Sequence, residues 1–403
     1  MNNANVIDFK PTERAETRIL IYSHDSYGLG HLRRCRTIAE ALVQNHPNTT
    51  VLIVSGSEIA GSFNNVPGID VIKIPGIIKL ENGDYASRAE GVALETTLSM
   101  RRKLIAKTAQ VFDPHLFIVD KEPMGLRGEV EPTLVERQLA GCKTVLGLRD
   151  VMDDPQTLQE EWDDKGLIPK TASLFDEIWI YGPRDFWNPL EGIDVPPHMA
   201  AKTHHVGFIN RHRDPQSQSL NIALPDHFIL VTAGGGGDGD DIMLDVLAAR
   251  TAHDDLPPMV LLAGPFMPPA KRQAVHAQAQ PFEDITVIDF VAEPEVLMRR
   301  ADAVVGMCGY NTFCEILSYD KPALYLPRTT PRMEQWVRAD RAAALGLASM
   351  ISSENAADPD KMAAALRALE TALPPSQTGF PLEMTGLDEI AKRTENLLSG
   401  MPA

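Results

Sequence analysis

Three runs of this sequence combine chemically active residues with glycines that let a ligand approach the main chain. The first, SHDSYGLGHLRRCRTIAEAL, spans residues 23–42. Gly28 and Gly30 fall in a turn and His31 opens a helical pattern, so an imidazole with an ordinary pKa of ~6.5 stands where a general base could work. It is not the dinucleotide fingerprint, because Arg33 replaces the third glycine. Arg33, Arg34 and Arg36 crowd the first turns, where the helix dipole disfavours cations, and this points to an anionic ligand. A capping histidine beside a solvated basic face would fit the same residues. His24, at the end of the preceding strand, is the rival base, and Asp120, which closes another apolar run, is a third candidate.

The second run, AGGGGDGDD at residues 233–241, lies between an apolar strand pattern and a helical one. Gly234, Gly235, Gly236 and Gly237 would let the chain approach a phosphate, with a helix N-terminus behind them. No Gly-Lys-Ser/Thr follows, so it is not a P-loop. Asp238, Asp240 and Asp241 would repel a diphosphate unless they point away, and a plain connector with an aspartate cap is the alternative. The third run, MCGYNTFCEILSYDKPALYLPR, covers residues 307–328. Gly309 permits close approach, a helix is expected from about Asn311–Thr312, and Glu315 in its first turn could hold a vicinal diol. Thr312-x-x-Glu315 also fits a capping box. Downstream, Glu334 and Gln335 suit hydroxyl recognition or a solvated helix start.

The elements that must position these runs are short β-branched strands alternating with amphipathic helices, the pattern of βαβ units and parallel sheets. Six strands are expected in the first half: Arg18–Ser23, Thr50–Ser55, Asp70–Ile74, His115–Asp120, Lys143–Leu148 and Glu177–Tyr181. Five follow in the second: His227–Thr232, Met259–Ala263, Ile285–Phe290, Ala303–Met307 and Ala323–Leu326. Helices are expected at Leu32–Gln44, Asp241–Ala249, Lys361–Leu373 and Leu387–Leu398. The polar stretch Asn210–Leu224 has linker composition. The division is therefore a disordered tail (1–17), an N-terminal Rossmann-like domain (18–209), a linker (210–224) and a C-terminal Rossmann-like domain (225–403). Asp150–Pro169 and Trp187–Pro197 are expected as loops over a cleft.

At 403 residues the chain exceeds what one core usually supports, and 44% hydrophobic with 23% charged residues is globular composition. A net charge of −17 counts against general nucleic-acid binding. Cys35, Cys142, Cys308 and Cys314 form no CxxC pair, and no apolar run suggests a leader or a membrane span. The expectation is a cytoplasmic protein, with room for peripheral contact at the inner face of a membrane. No Asp-x-Asp pair suits a metal better than a helix cap, so no metal and no cofactor is expected.

The run from Ile285 to Gly346 resembles the donor-binding domain of family 28 glycosyltransferases. The likeness is carried by Asp289-Phe290-Val291, by the run from Ala301 to Pro327, by Glu334-Gln335 and by RADRAAALG after them. It implies the GT-B fold, two Rossmann-like domains with parallel sheets facing across a cleft. It also implies inverting transfer of a hexose or N-acetylhexosamine from a nucleotide sugar, with uridine the expected base, to a carbohydrate or lipid-linked acceptor in envelope or polysaccharide synthesis. By that likeness Val291 would meet the base, Glu315 the ribose with Gly309 and Thr312 beside it, Glu334 and Gln335 the sugar, and Gly234–Gly237 the diphosphate. Gly28-Leu29-Gly30-His31 matches the family's loop ending in Gly-His, which makes His31 the base and sets Gly28, Gly30, Arg33 and Arg34 on the acceptor or phosphate side. The phosphate loop lacks the family's serine, and Glu334 stands where glutamine is usual. A nucleotide-sugar 2-epimerase and a non-catalytic nucleotide-sugar-binding protein are the alternatives on this scaffold.

Overall fold

Runs such as TRILIYS and TTVLIVS are apolar on both faces of the extended chain, so each strand must be covered on both sides, and parallel packing between helices achieves that. The computed structural model describes residues 17–24, 30–61, 66–80, 84–212, 222–235, 237, 239–291 and 293–399. Its first sheet is built from β1 (Thr17–Ser23), β2 (Thr49–Ser55) and β3 (Ile69–Lys73). A small antiparallel hairpin, β4 (Ile77–Lys79) with β5 (Tyr85–Ser87), stands apart from it. The sheet continues with β6 (Leu116–Asp120), β7 (Lys143–Arg149), β8 (Glu177–Tyr181) and β9 (Thr203–His205). The second sheet holds β10 (Ile229–Thr232), β11 (Met259–Leu262), β12 (Ile285–Ile288), β13 (Ala303–Gly306), β14 (Ala323–Tyr325) and β15 (Ser349–Met350).

Both sheets are parallel throughout, in the orders β3-β2-β1-β6-β7-β8-β9 and β12-β11-β10-β13-β14-β15. In each, the winding reverses beside the first strand, between β1 and β6 and between β10 and β13. Doubly wound sheets bind ligands outside the carboxyl ends of their strands at such a reversal. The fold therefore has two natural binding crevices.

Helices α1 (Gly30–Asn45), α2 (Leu94–Phe112), α3 (Glu131–Leu139), α4 (Pro155–Asp164), α5 (Leu167–Leu174) and α6 (Pro197–Ala200) lie along the first half of the chain. Along the second lie α7 (Asp240–Ala252), α8 (Pro269–Ala279), α9 (Glu295–Arg300), α10 (Tyr310–Ser318), α11 (Glu334–Ala344), α12 (Ser353–Ala356) and α13 (Pro359–Ala368). The last helix, α14 (Gly386–Leu398), returns to the first sheet's side. There His46, just past α1, contacts the Ala391 carbonyl at 3.0 Å, and Arg393 reaches Glu177 on β8 at 3.2 Å. Residues 225–403 therefore do not all stay with the second sheet.

The expected strands are found within a few residues of their places. The expected tail, 1–17, lies outside the described residues except for Thr17, which opens β1, and so does most of the linker. The expected loop at Asp150–Pro169 is corrected: most of it is α4 and the start of α5. Asp154 accepts a hydrogen bond from the Thr157 amide at 3.0 Å and Pro155 takes the first helical position, so the acidity that suggested a loop belongs to a capped helix start. No helix among the described residues is long and apolar enough to cross a membrane.

Candidate active site

At the first reversal, β1 ends at Ser23, β6 ends at Asp120, and α1 starts at Gly30 between them. His31 is the second residue of α1. Its Nδ1 lies 2.6 Å from Asp120 Oδ2, and Arg34, one turn on, places Nε 2.9 Å from Oδ1 and Nη2 2.7 Å from Oδ2 of the same carboxylate. The guanidinium holds the buried Asp120 carboxyl far below the usual carboxylate range, so it accepts hydrogen bonds only. Arg34 Nη2 also lies 2.9 Å from Nδ1, but it already donates to Asp120, and two acceptors would repel at 2.6 Å, so the shorter contact favours the proton on His31 Nδ1 and the lone pair on Nε2. Burial lowers the His31 pKa from its ordinary value, outweighing the Asp120 contact that raises it, which favours the neutral, base-competent ring. His24 lies edge-on to His31 with ring centroids 5.7 Å apart. Among the described residues its Nδ1 has the Tyr22 hydroxyl at 3.5 Å, and burial pushes its pKa down to about 3. Of the two histidines, His31 has the orienting carboxylate.

The three arginines of α1 do have anionic partners, but these are the protein's own carboxylates. Arg34 holds Asp120, Arg36 holds Glu40 at 2.8 Å, and Arg33 reaches Glu295 at 3.2 Å and Glu315 at 2.8 Å.

At the second reversal, the glycine run follows β10 and α10 follows β13. Gly234 has φ +62°, in the left-handed region that favours glycine. Its amide donates to Thr232 Oγ1 at 3.2 Å, and the Gly235 carbonyl accepts from the Phe266 amide at 3.0 Å. A Cβ at Gly235 would meet only the Phe266 ring at 3.5 Å, and one at Gly309 would meet nothing within 4 Å, so neither glycine is demanded by local packing. Gly264 is different: at φ +89° a Cβ there would lie 2.7 Å from the Gly234 carbonyl oxygen. Asp240 is buried and paired with Lys271 at 2.8 Å, which neutralises its charge. The cap of α7 is Gly239 with no side-chain hydrogen bond, so the expected aspartate cap is absent there. Gly28, Gly236 and Asp238 lie outside the described residues.

Helix α10 begins at Tyr310, capped by Gly309 without a side-chain hydrogen bond. Thr312 and Glu315 therefore form no capping box, and Glu315 sits in the second turn. It is buried, with Arg33 and Arg211 at 2.8 and 3.5 Å. Glu315 thus forms an ion pair with the N-terminal domain, while its Oε1 has no hydrogen-bond partner. Glu334 and Gln335 open α11 and are both buried, which removes the solvated-start alternative. Glu334 Oε1 accepts from Arg328 Nη2 at 2.8 Å, Gln335 Oε1 accepts from the Arg328 amide at 3.3 Å, and Glu334 Oε2 has no hydrogen-bond partner. Val291 is half-buried beyond the end of β12, next to the exposed Phe290.

The two reversals face each other. Asn311 on α10 donates to the Gly30 carbonyl at 2.8 Å, the residue before His31. Arg338 on α11 holds Asp150, just past β7, at 2.7 Å with both side chains fully buried. Phe186 packs on Phe313 with centroids 5.3 Å apart. Beside His24, on the N-terminal domain, opens a cavity of about 680 Å³ lined by Lys121, Glu122, Arg127, Glu161 and Lys165, among others, and by Arg332 from the second domain. Composition gave no sign of this cavity, because its residues are far apart in sequence.

Two facing, parallel, doubly wound domains define a GT-B protein. The calicheamicin glycosyltransferase CalG4 is similar over 96% of this chain and 100% of its own, with a TM-score of 0.61 and 13% identity. The UDP-GlcNAc 2-epimerase from Neisseria meningitidis, bound to UDP-GlcNAc, is similar over 96% and 100% with a TM-score of 0.59 and 13% identity. At these identities the likeness concerns the fold. In sequence, residues 259–378 match the glycosyltransferase family 28 C-terminal domain. An uncharacterized glycosyltransferase from Methanosarcina acetivorans is 22% identical over 324 residues, 74% of this chain and 77% of that protein. The chain is a glycosyltransferase, and its residues 259–378 are similar to the family 28 C-terminal domain.

Proposed function

We propose that the chain transfers a hexosyl or N-acetylhexosaminyl group from a uridine diphosphate sugar to an acceptor hydroxyl, with inversion. The observation that carries this reading is the His31–Asp120 contact at one reversal, opposite the glycine run and the start of α10 at the other. His31 Nε2 takes the proton from the acceptor hydroxyl as its oxygen forms a bond to the anomeric carbon. The bond from that carbon to the diphosphate breaks on the opposite side, and the diphosphate leaves with the electron pair. Asp120 stabilises the imidazolium that results, while main-chain N–H groups at the glycine run meet the leaving charge, preorganised for it by the fold. The cavity beside His24 receives the acceptor. Uridine is supported by the epimerase of like fold that holds UDP-GlcNAc. No step requires a metal, so turnover should persist in EDTA. The four buried, unbridged cysteines suit a reducing cytoplasm.

The epimerase likeness supports a second reading, 2-epimerisation of the nucleotide sugar. Incubating the protein with UDP-hexoses and an acceptor panel, then analysing the products, separates the two. A glycosylated acceptor with stoichiometric UDP supports transfer. An epimerised sugar formed without any acceptor would replace it with the second reading.

A further inference from the structure

Among the described residues, most charges where the domains meet are matched. Arg34 holds Asp120, Arg338 holds Asp150, Arg328 holds Glu334, and Arg332 holds Asp153 at 3.1 Å and Glu161 at 2.8 Å. Arg149, the last residue of β7, holds no carboxylate among the described residues, and its buried Nε has no hydrogen-bond partner. Burial, with Arg338 and Arg34 nearby, pushes its pKa down to about 10 against the opposing pull of Glu334. A guanidinium at that value keeps its charge at neutral pH. A partly buried, unpaired cation destabilises a fold, so its presence calls for something that answers it.

Its position says where. Asp120 on β6 pairs in register with Gly147 on β7, and Arg149, two residues on, pairs with Tyr181 on β8. Alternate residues share a face, so Asp120, Arg149 and Tyr181 project from the face that carries the His31 contact, at the carboxyl edge of the sheet. Glu334 couples to Arg149 from the other domain, and its Oε2 also has no partner. An oxyanion against Arg149 and a hydroxyl donating to Glu334 Oε2 would satisfy both.

We propose that Arg149 is a substrate-binding residue that receives an oxyanion, a phosphate or a carboxylate, while Glu334 accepts a hydroxyl from the same bound assembly. The proposal rests on the glycosyl-transfer reading. The oxyanion comes either from the donor's diphosphate or from an anionic acceptor, and one experiment separates these sources. In the full-length protein, Arg149→Met and Arg149→Lys are compared with the wild type for binding of uridine and UDP, for acceptor KM and for the Tm of the free protein.

If the diphosphate is the partner, Arg149→Met weakens UDP about ten- to a hundredfold, leaves uridine unchanged, and Arg149→Lys recovers part of the loss. If the acceptor is the partner, UDP affinity holds and acceptor KM rises by a similar factor. In either case the Tm of the free Arg149→Met protein stays level or rises, because an unpaired charge has been removed. A fall in Tm with equal losses for uridine and UDP would make Arg149 structural and overturn the proposal. So would unchanged UDP affinity together with unchanged acceptor KM. A wild type that binds neither UDP nor uridine would instead bring down the uridine-donor reading on which the proposal rests.

Discussion

The two reversals carry opposite kinds of chemistry. At the first, every working group is a side chain held by another side chain: His31 by Asp120, and Asp120 by Arg34. At the second, the surface proposed to meet the diphosphate is main chain exposed by glycines, open at Gly235 and Gly309. A base that must accept a proton at one nitrogen needs its other nitrogen fixed, and a charged network does that. A leaving diphosphate needs several donors at once, which a bare backbone beside a helix start supplies without side-chain entropy.

If the side-chain network does what this contrast assigns to it, Asp120→Asn should have the largest effect on rate. It keeps size but replaces one of the two acceptor oxygens that His31 and Arg34 share by an NH2 donor, which upsets the His31 tautomer, and kcat should fall about 10²- to 10⁴-fold with donor affinity nearly unchanged. A kcat within a factor of about three of wild type would show that the carboxylate does not orient the base. Between the two regions, Arg338→Met should be the most destabilising change, by about 3–5 kcal/mol in denaturant unfolding, since it strands the buried Asp150. Adding Asp150→Asn should recover much of that loss. No recovery would mean that Arg338 acts mainly through the Cys308 carbonyl it also reaches at 2.9 Å.

On the main-chain side, Gly235→Val should weaken UDP about ten- to a hundredfold while sparing uridine, because a branched side chain bars the diphosphate but meets only the Phe266 ring within the protein. Equal weakening of UDP and uridine would reduce the glycine run to a connector.

The sheets were legible because burial on both faces leaves long apolar runs such as LFIVD and EIWIY, whose ends are marked by polar residues. His31 was legible as a histidine between a glycine turn and a helix. The unfavourable placement of Arg33 and Arg34 at a helix start was legible too, but not the identity of their anions. Asp120 lies 86 residues beyond Arg34, and Glu315 lies in the other domain. Only the tertiary fold brings them together, so a violation that suggested a ligand was answered inside the chain. Asp154-Pro155 carried a helix-start signal hidden by the acidity of its surroundings. Arg149 carried none, since an arginine ending a strand looks the same whether or not a carboxylate waits for it.

The central claim is that His31 is the base for transfer, and it is tested most directly by kcat and donor Kd measured together for His31→Ala and His24→Ala. The account predicts that His31→Ala loses about 10²- to 10⁴-fold in kcat with donor Kd within a factor of about three, and that His24→Ala loses clearly less. Undiminished turnover in His31→Ala, or a collapse confined to His24→Ala, would contradict it.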